Sequence, residues 1–183
     1  MGDDYGFLAK NCSKLKSYID NKINYRLRDL LNLNQHIIIE GTQGYGLSVL
    51  HSNDYPFVTS RDTTAAGFLS EAGLSPLDVK NVIMVIRSYP IRVAGNSGPL
   101  EHEITWEELS ERIGYKVEEY TSVTNKLRRV AEFDAMMVRD AIAINKPNIV
   151  VLNHLDYIFP NLTPKEFLNP GTKMFYTVKN SLG

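Results

Sequence analysis

Three short apolar runs, each followed by glycine or by polar residues, constrain most strongly what this chain can fold into. They are Ile37–Glu40, Val82–Ile86 and Ile149–Leu152. Segments with helical spacing of apolar residues alternate with them, which predicts an α/β fold with a mostly parallel sheet and flanking helices. Since helices cover both faces of such sheets, we predict that all three strands are buried, with Ile37–Gly44 forming a strand and a ligand-facing turn.

Several segments have the residue types that begin or end helices. Apolar residues recur at helical spacing over residues 11–31, which predicts one amphipathic surface helix. Further helices are predicted at Thr63–Ala72, after Ser75-Pro76, from the capping box Thr105–Glu108 to Gly114, at Phe133–Ile144, and after Thr163-Pro164. We expect Met136 and Met137 of the fourth of these to pack in the core.

The length of 183 residues suits one domain. We divide it into a helical lead-in (1–35), a nucleotide- and substrate-binding core (36–160) and a C-terminal helical segment (161–183). The net charge of −1 argues against a nucleic-acid partner, and no apolar run approaches the ~20 residues that span a bilayer. We therefore expect no membrane partner. The single cysteine, Cys12, cannot form an internal disulfide, which favours a reducing compartment, and we expect a cytoplasmic protein.

Ligands of α/β sheets bind beyond the carboxyl ends of the strands, and polar residues follow each predicted strand here. After the first comes Glu40-Gly41-Thr42-Gln43-Gly44, where the Gln43 amide could bind a purine edge, although a plain polar turn fits equally well. Downstream, Tyr55–Thr64 carries five hydroxyls in ten residues, more than helix capping needs, which favours a phosphate site.

Arginines follow the second predicted strand. Arg87 and Arg92, beside the flexible Val93–Pro99 loop, could bind an anion, but solvated surface arginines are the simpler interpretation. The basic segment Thr121–Arg129 could likewise clamp a carboxylate or phosphate, or form an ordinary basic loop.

The third predicted strand leads directly into Asn153-His154-Leu155-Asp156. A carboxylate at this position can accept hydrogen bonds from the N1–H and 2-amino groups of guanine, a pair that adenine lacks. His154 could instead be a base or a metal ligand, but no cluster of ligand-type residues at metal-binding spacing supports a metal site.

In their order and spacing, the motifs from Ile37 to Asp156 resemble the adenylosuccinate synthetase family. That family joins inosine monophosphate (IMP) to L-aspartate, using GTP and Mg²⁺, in the synthesis of AMP. The resemblance implies a P-loop-NTPase-like fold, of which this chain matches the middle and later part. It also implies a homodimer.

The resemblance assigns ligand contacts to residues that match the family's motifs. The family's Glu-Gly-Ala-Gln-Gly turn corresponds to Glu40–Gly44, its Tyr-Pro-x-Val-Thr-Ser segment begins at Tyr55, and its Thr-Arg-Val-Gly corresponds to Ile91–Ala94. By this correspondence the IMP contacts are Gln43, Thr59, Val93 and Lys126. The aspartate contacts are Thr124, Asn125, Lys126 and Arg128, and the GTP contacts are Arg128, His154, Leu155 and Asp156, the last of which binds guanine.

Four of the departures from the family's usual residues bear on the aspartate and GTP contacts. Val123 lacks a hydroxyl, Asn125 replaces glycine, and Lys126 replaces an arginine, which keeps the charge but loses bidentate geometry. His154 stands in place of a lysine whose stem packs along the guanine.

The family's N-terminal phosphate loop, its catalytic aspartate and its assisting histidine have no counterpart in this chain. The resemblance therefore provides no catalytic residue and no metal ligand here, although it implies Mg²⁺ and GTP. We expect a fragment or partner-dependent piece of such a ligase that is inactive alone. The alternatives are a non-catalytic purine-nucleotide-binding module, or half of a split ligase with another purine or amino-acid substrate and an N-terminal half on another chain.

Overall fold

A computed structural model of the chain describes residues 4–18 and 22–159. It contains five α-helices in that part of the chain, with short 3-10 turns between them: α1 (Asp4–Leu15), α2 (Ile23–Asn32), α3 (Ala65–Glu71), α4 (Trp106–Ile113) and α5 (Ala135–Asn145). The strands of the same part are β1 (Ile83–Arg87), β2 (Ile91–Arg92), β3 (Glu103–Ile104), β4 (Arg129–Ala131) and β5 (Ile149–Asn153). The predicted helix after Thr163-Pro164 lies outside the described residues, and the division into three segments stays a prediction.

The strands form two separate sheets. β1 and β5 pair in parallel, with Ile83 opposite Ile149 and Arg87 opposite Asn153. β2, β4 and β3 form an antiparallel sheet in that order, which the sequence did not indicate because β2 and β3 are each two residues long. The α/β class and the parallel pairing of the second and third predicted strands are confirmed.

The core of the described chain lies between α4 and the antiparallel sheet. Leu109 and Ala131 are fully buried, and Val130 is 1% exposed. Trp106 and Ile113 complete the α4 side of this core, and Tyr157 packs into it from the end of β5. We call α4, the antiparallel sheet and Tyr157 the packed unit.

Local capping explains why α4 begins and ends where it does. The hydroxyl of Thr105 accepts a hydrogen bond from the Glu108 amide, while the Glu108 carboxylate accepts one from the Thr105 amide. At the other end Gly114 adopts φ +81°, a left-handed conformation that glycine reaches without steric cost. The predicted capping box and helix end are both confirmed.

The predicted strand at Ile37–Glu40 is wrong. These residues have no regular secondary structure, and Ile38 is 91% exposed. A strand needs a hydrogen-bonding neighbour, and no strand pairs with this segment within the described residues. The segment therefore forms no strand, although its residues are β-branched.

The predicted burial of the other two strands is also wrong. Register places Ile83, Val85, Ile149 and Val151 on one face of the β1–β5 pair, and all four are exposed, Ile83 and Val85 by 58% each. No described helix covers this face, which we call the exposed sheet face.

Three helical predictions also need correction. The helix predicted after Ser75-Pro76 is a single 3-10 turn, Pro76–Asp78. The single helix over 11–31 is two helices, α1 and α2, with residues 19–21 outside the description. Met136 and Met137, expected in the core, are both exposed. The residue of α5 that is buried is Ala141. No described helix is long and apolar enough to cross a bilayer.

Candidate functional site

The predicted purine-binding turn, residues 41–44, is fixed against α3. A Cβ on Gly41 would collide with the ring of Phe68, so only glycine allows this approach. The hydroxyl of Thr63 donates to the Gly44 carbonyl at 2.7 Å. Gln43 adopts φ +67°, a left-handed conformation that is uncommon for glutamine. Its side chain is exposed and has no protein partner among the described residues.

The hydroxyl-rich segment divides into structural and free hydroxyls. Thr64 caps α3 by accepting from the Gly67 amide, and its hydroxyl donates to Asp62 at 2.7 Å. Thr63 holds the Gly44 carbonyl as described above. Thr59 is held by its backbone amide, which donates to the Leu47 carbonyl at 2.8 Å, and its hydroxyl has no partner in the described chain. Fewer hydroxyls of this segment are therefore free to bind a phosphate than the sequence indicated.

Asp62 connects these elements. Its carboxylate accepts from the Ser48 hydroxyl at 2.9 Å and from both the amide and the hydroxyl of Thr64. Burial alone would raise the pKa of Asp62, but these hydrogen bonds outweigh it and hold the pKa below its usual value. An ionised Asp62 thus fixes the segment that carries Thr59.

Arg92 is neither an anion site nor a solvated arginine. Its guanidinium donates to the carbonyls of Ser97, Pro99 and Phe57 at 2.8–2.9 Å and contacts Asp54 at 3.3 Å. The side chain is only 10% exposed. Arg92 therefore ties the loop after β2 to the segment before Thr59, while Val93 beside it remains exposed.

The predicted aspartate-binding loop is the turn of a hairpin. The hydroxyls of Thr121 and Thr124 lie 2.6 Å apart, and the Lys126 amide donates to the Thr121 hydroxyl at 3.0 Å. Asn125 adopts φ +47°. Asparagine tolerates this left-handed conformation better than most residues, which explains physically how it can stand where the family has glycine.

The two cations of this hairpin differ in how firmly they are held. Arg128 is fixed through its backbone: its amide donates to the Glu119 carbonyl at 2.8 Å, and its carbonyl accepts from the Trp106 indole at 2.7 Å. Lys126 is exposed. Within the described residues, the charged groups of both side chains have no acidic partner.

The predicted guanine-binding segment follows β5 directly. His154 adopts φ +59°, and its ring lies 4.8 Å from that of Tyr157. The Ser88 hydroxyl, at the end of β1, donates to the His154 carbonyl at 2.7 Å. The Asp156 carboxylate is exposed and accepts from the Tyr115 hydroxyl at 3.1 Å. Burial, and secondarily this contact, raises the pKa of Tyr115, so Tyr115 stays a hydrogen-bond donor at neutral pH.

Sequence reasoning missed a cluster that joins the ends of β1 and β5 to the hairpin. One Glu119 oxygen, Oε1, accepts from Arg87 in an ion pair and from the Tyr157 hydroxyl at 3.3 Å. Arg87 thus has a structural partner rather than a free guanidinium. Glu119 follows a second glutamate, Glu118, and nothing in the sequence indicates which of the two pairs with Arg87.

The contacts bring some predicted site residues together and leave others apart. The Gln43 turn and the Thr59 segment are joined directly, and the Arg128 hairpin meets the strand ends through Glu119. No described hydrogen bond joins Gln43 or Thr59 to Lys126 or Asp156.

The carboxylates near the candidate site do not form a three-ligand metal cluster in the part of the chain that the structure describes. Among residues 4–18 and 22–159, no group of three histidine, cysteine, aspartate or glutamate side chains could hold a metal ion. An open cavity of about 180 Å³ between the Tyr45 turn and α5 is lined by Asp54, Asp134 and Asp140. Two of these carboxylates already have structural roles, since Asp54 contacts Arg92 and Asp134 caps α5.

Comparison with known proteins gives consistent matches. The family model for adenylosuccinate synthetase matches residues 4–161. The adenylosuccinate synthetase of Thermococcus onnurineus is 38% identical over 148 residues, covering 81% of this chain and 42% of that protein. The Archaeoglobus fulgidus protein of the same name is 34% identical, covering 91% of this chain and 48% of its own length.

Two solved structures match as well. One, described as cyanophage S-2L succinoaminodeoxyadenylate synthetase (PurZ) bound to dGMP and dATP as an energy donor, is 38% identical with a TM-score of 0.63, covering 73% of this chain and 40% of its own. The other, fully ligated adenylosuccinate synthetase from Plasmodium falciparum, is 27% identical with a TM-score of 0.71, covering 83% of this chain and 35% of its own. The chain thus spans less than half the length of these relatives, and it belongs to the adenylosuccinate synthetase family.

Proposed function

We propose that this chain provides the purine- and amino-acid-binding part of a ligase that joins IMP and L-aspartate with GTP hydrolysis, in the synthesis of AMP. One observation carries the proposal. Within the described residues, the side-chain polar groups of Gln43, Thr59 and Lys126 have no protein partner, whereas the hydroxyls of Thr63 and Thr64 are engaged in structural hydrogen bonds. Family membership supports the same reaction class.

The IMP site in this proposal consists of Gln43, Thr59, Val93 and Lys126. The Gln43 amide can both donate to and accept from a purine edge, and the Thr59 hydroxyl can donate to a phosphate oxygen. The exposed side chain of Val93 provides an apolar surface for the ribose. Lys126 adds a positive charge toward the nucleotide.

The aspartate site consists of Thr124, Asn125, Lys126 and Arg128 on the hairpin. Lys126 and Arg128 are two residues apart in the arm of the hairpin, so their side chains leave the backbone on the same side. Two unpaired cations on one side can hold a dicarboxylate, which supports L-aspartate as the amino acid.

The GTP site consists of Arg128, His154, Leu155 and Asp156. An ionised carboxylate has about four lone-pair sites, so Asp156 can bind the guanine N1–H and 2-amino group while it still accepts from Tyr115. Bound GTP would supply the phosphoryl group that activates the purine. No group of three acidic, histidine or cysteine side chains among the described residues could hold a metal ion, so the proposal assigns no Mg²⁺ ligand to them.

The chain acts in this proposal together with further polypeptide, in the same or in another chain, that provides the phosphate loop. The exposed sheet face supports this, because strands of a parallel sheet are normally covered on both faces. A homodimer remains part of the proposal, and sedimentation as a strict monomer would contradict it.

Calorimetry of IMP binding to the folded chain tests the purine site. We expect binding in the wild type, weakened at least about tenfold by Thr59→Val, because a lost hydrogen bond to a charged group costs about 1.5–3 kcal/mol. The adjacent exposed Ser60→Ala is the matched control and should bind as the wild type does. The absence of heat at millimolar IMP with a folded sample would contradict the proposal.

A turnover assay tests the dependence on further polypeptide. With IMP, L-aspartate, GTP and Mg²⁺, the chain alone should release no phosphate above a control without enzyme. Phosphate release above that control would show that the chain is a complete catalyst. A chain that binds IMP but gains no turnover when the rest of a family member is added would instead be a binding module.

A second candidate purine is dGMP. The cyanophage protein bound to dGMP is as similar in sequence to this chain as the Thermococcus protein is, at 38% each. Titration with dGMP beside IMP distinguishes the two candidates, since the cognate purine should bind more tightly and lose more affinity in Thr59→Val.

A further inference from the structure

Glu119 occupies the point where the predicted amino-acid site and the predicted GTP site meet. Its side chain contacts Arg87 at the end of β1 and Tyr157, the residue directly after Asp156. Its carbonyl accepts from the amide of Arg128. A single residue therefore has hydrogen bonds to the β1 end, to the guanine-binding segment and to the hairpin.

The contacts of Glu119 are partly shielded from water. The Glu119 and Arg87 side chains are 22% and 27% exposed, and Tyr157 is 8% exposed within the core of the packed unit. Ion pairs shielded in this way are screened less by salt than surface pairs. Burial, followed by the negative charge of Glu119, raises the pKa of Tyr157 to about 12. The Tyr157 hydroxyl therefore stays protonated and continues to donate to Glu119 at physiological pH.

Each end of this contact path carries a proposed ligand residue. Asp156 is adjacent to Tyr157, whose ring also contacts the ring of His154. Arg128 is held by Glu119 through its backbone, and its guanidinium has no acidic partner within the described residues. The hydrogen bonds of Glu119 therefore connect Tyr157, beside the guanine-binding segment, to the start of the arm that presents Arg128.

We propose that Glu119 is a positioning residue that couples nucleotide binding at His154–Asp156 to amino-acid binding at Thr124–Arg128. The inference rests on the proposed function of both segments. Glu119 itself contacts neither ligand. It transmits the state of one site to the other through Tyr157 and the Arg128 amide, so each ligand binds more tightly when the other is present.

The test is a calorimetric measurement of L-aspartate affinity for the 183-residue chain with and without saturating GTP. We expect GTP to tighten aspartate binding about fivefold or more in the wild type, within the usual range of coupling between sites. In Glu119→Gln, which keeps the shape but removes the charge, GTP should tighten aspartate binding less than it does in the wild type. The coupling that remains is the direct contribution of Arg128, which the proposed function places in both sites. Tyr157→Phe, which removes only the hydroxyl contact, should reduce the coupling in the same direction.

Glu118→Gln is the matched control, since within the described residues the Glu118 side chain pairs with Lys116 and Tyr120 and with neither Arg87 nor Tyr157. It should leave the coupling unchanged. A general loss of structure would weaken each ligand alone, whereas the inference requires that the affinity for each single ligand in Glu119→Gln stays close to that of the wild type.

The possible outcomes distinguish a failure of this inference from a failure of the proposed function on which it rests. If both ligands bind and the coupling is absent in the wild type, or is as large in Glu119→Gln as in the wild type, the role of Glu119 is refuted and the proposed sites stand. If neither ligand binds a folded wild-type chain, the proposed function fails and the inference fails with it.

Discussion

The β1–β5 pair is more apolar in sequence than the packed unit, yet the packed unit is the region that buries its apolar side chains. In the packed unit, α4 covers the antiparallel sheet, and Leu109 and Val130 are almost completely excluded from water. In the β1–β5 pair, four β-branched side chains face solvent on one side, and Val85 is 58% exposed.

The difference lies in what each region has as a neighbour. The antiparallel sheet has a helix of its own, which follows β3 almost directly in sequence and begins at a capping box. The parallel pair has no described helix over its exposed sheet face, and two parallel strands alone are rarely stable. The first region is covered by described residues, whereas the second has the composition of a buried sheet and no cover among the described residues.

The largest effect should follow the loss of volume at the centre of the packed unit. Leu109→Ala should lower the free energy of unfolding by about 2–5 kcal/mol, because it leaves a cavity at a fully buried site. Denaturant unfolding measures this. Leu77→Ala, at a side chain that is 95% exposed, is the control and should stay within about 0.5 kcal/mol. Equal costs at both sites would contradict the packing described here.

One substitution made in both regions compares them directly. Val130→Thr buries a hydroxyl without a partner in the packed unit and should cost about 1–3 kcal/mol. Val85→Thr exposes its hydroxyl to water and should cost no more than about 0.5 kcal/mol. If the second substitution costs as much as the first, the exposed sheet face is covered in solution.

A smaller effect is expected from the cap that makes the packed unit complete. Thr105→Ala removes the side-chain acceptor for the Glu108 amide and should cost about 1 kcal/mol, measured by thermal unfolding. Thr42→Ala, at an exposed threonine outside any helix, provides the comparison. A melting temperature that Thr105→Ala leaves unchanged would show that packing alone determines where α4 begins.

The smallest effect concerns pH and the turn beside α3. The folded-state pKa of Asp62 lies below its unfolded value of about 3.9, so its ionised form stabilises the fold above that value. This contribution is lost as the pH falls through the lower, folded-state pKa. Asp62→Asn should therefore be less stable than the wild type at pH 7, with a gap that narrows below pH ~4. A difference in the free energy of unfolding between the wild type and Asp62→Asn that stays constant down to pH 3 would contradict the role of Asp62.

Local signals in the sequence were enough to predict much of the fold. Ser75, Thr105 and Gly114 determine helix ends through contacts within four residues, so their positions were predictable. β1 and β5 were recognisable because both are runs of apolar residues. The burial of these strands was not predictable, because it depends on cover that no local pattern reports.

The candidate site shows the same limit. The positions of Gln43 in a loop and of Asp156 after a strand followed from residue type and spacing, whereas Thr59 was singled out by the resemblance to the family. The structural roles of Thr63, Arg92 and Arg87 did not, because their partners, Gly44, Phe57 and Glu119, lie 19–35 residues away in sequence. Whether a polar group is free or engaged is a tertiary property, and it decides which candidates remain available to a ligand.

The most direct test of the proposed purine site is an NMR titration of the isotopically labelled chain with IMP. The account predicts that amide shift changes concentrate at Gln43–Gly44 and Thr59 and extend to Val93 and Lys126, while the core of α4 is unaffected. Changes confined to the cavity between Tyr45 and Asp140, or spread without relation to Gln43 and Thr59, would contradict it.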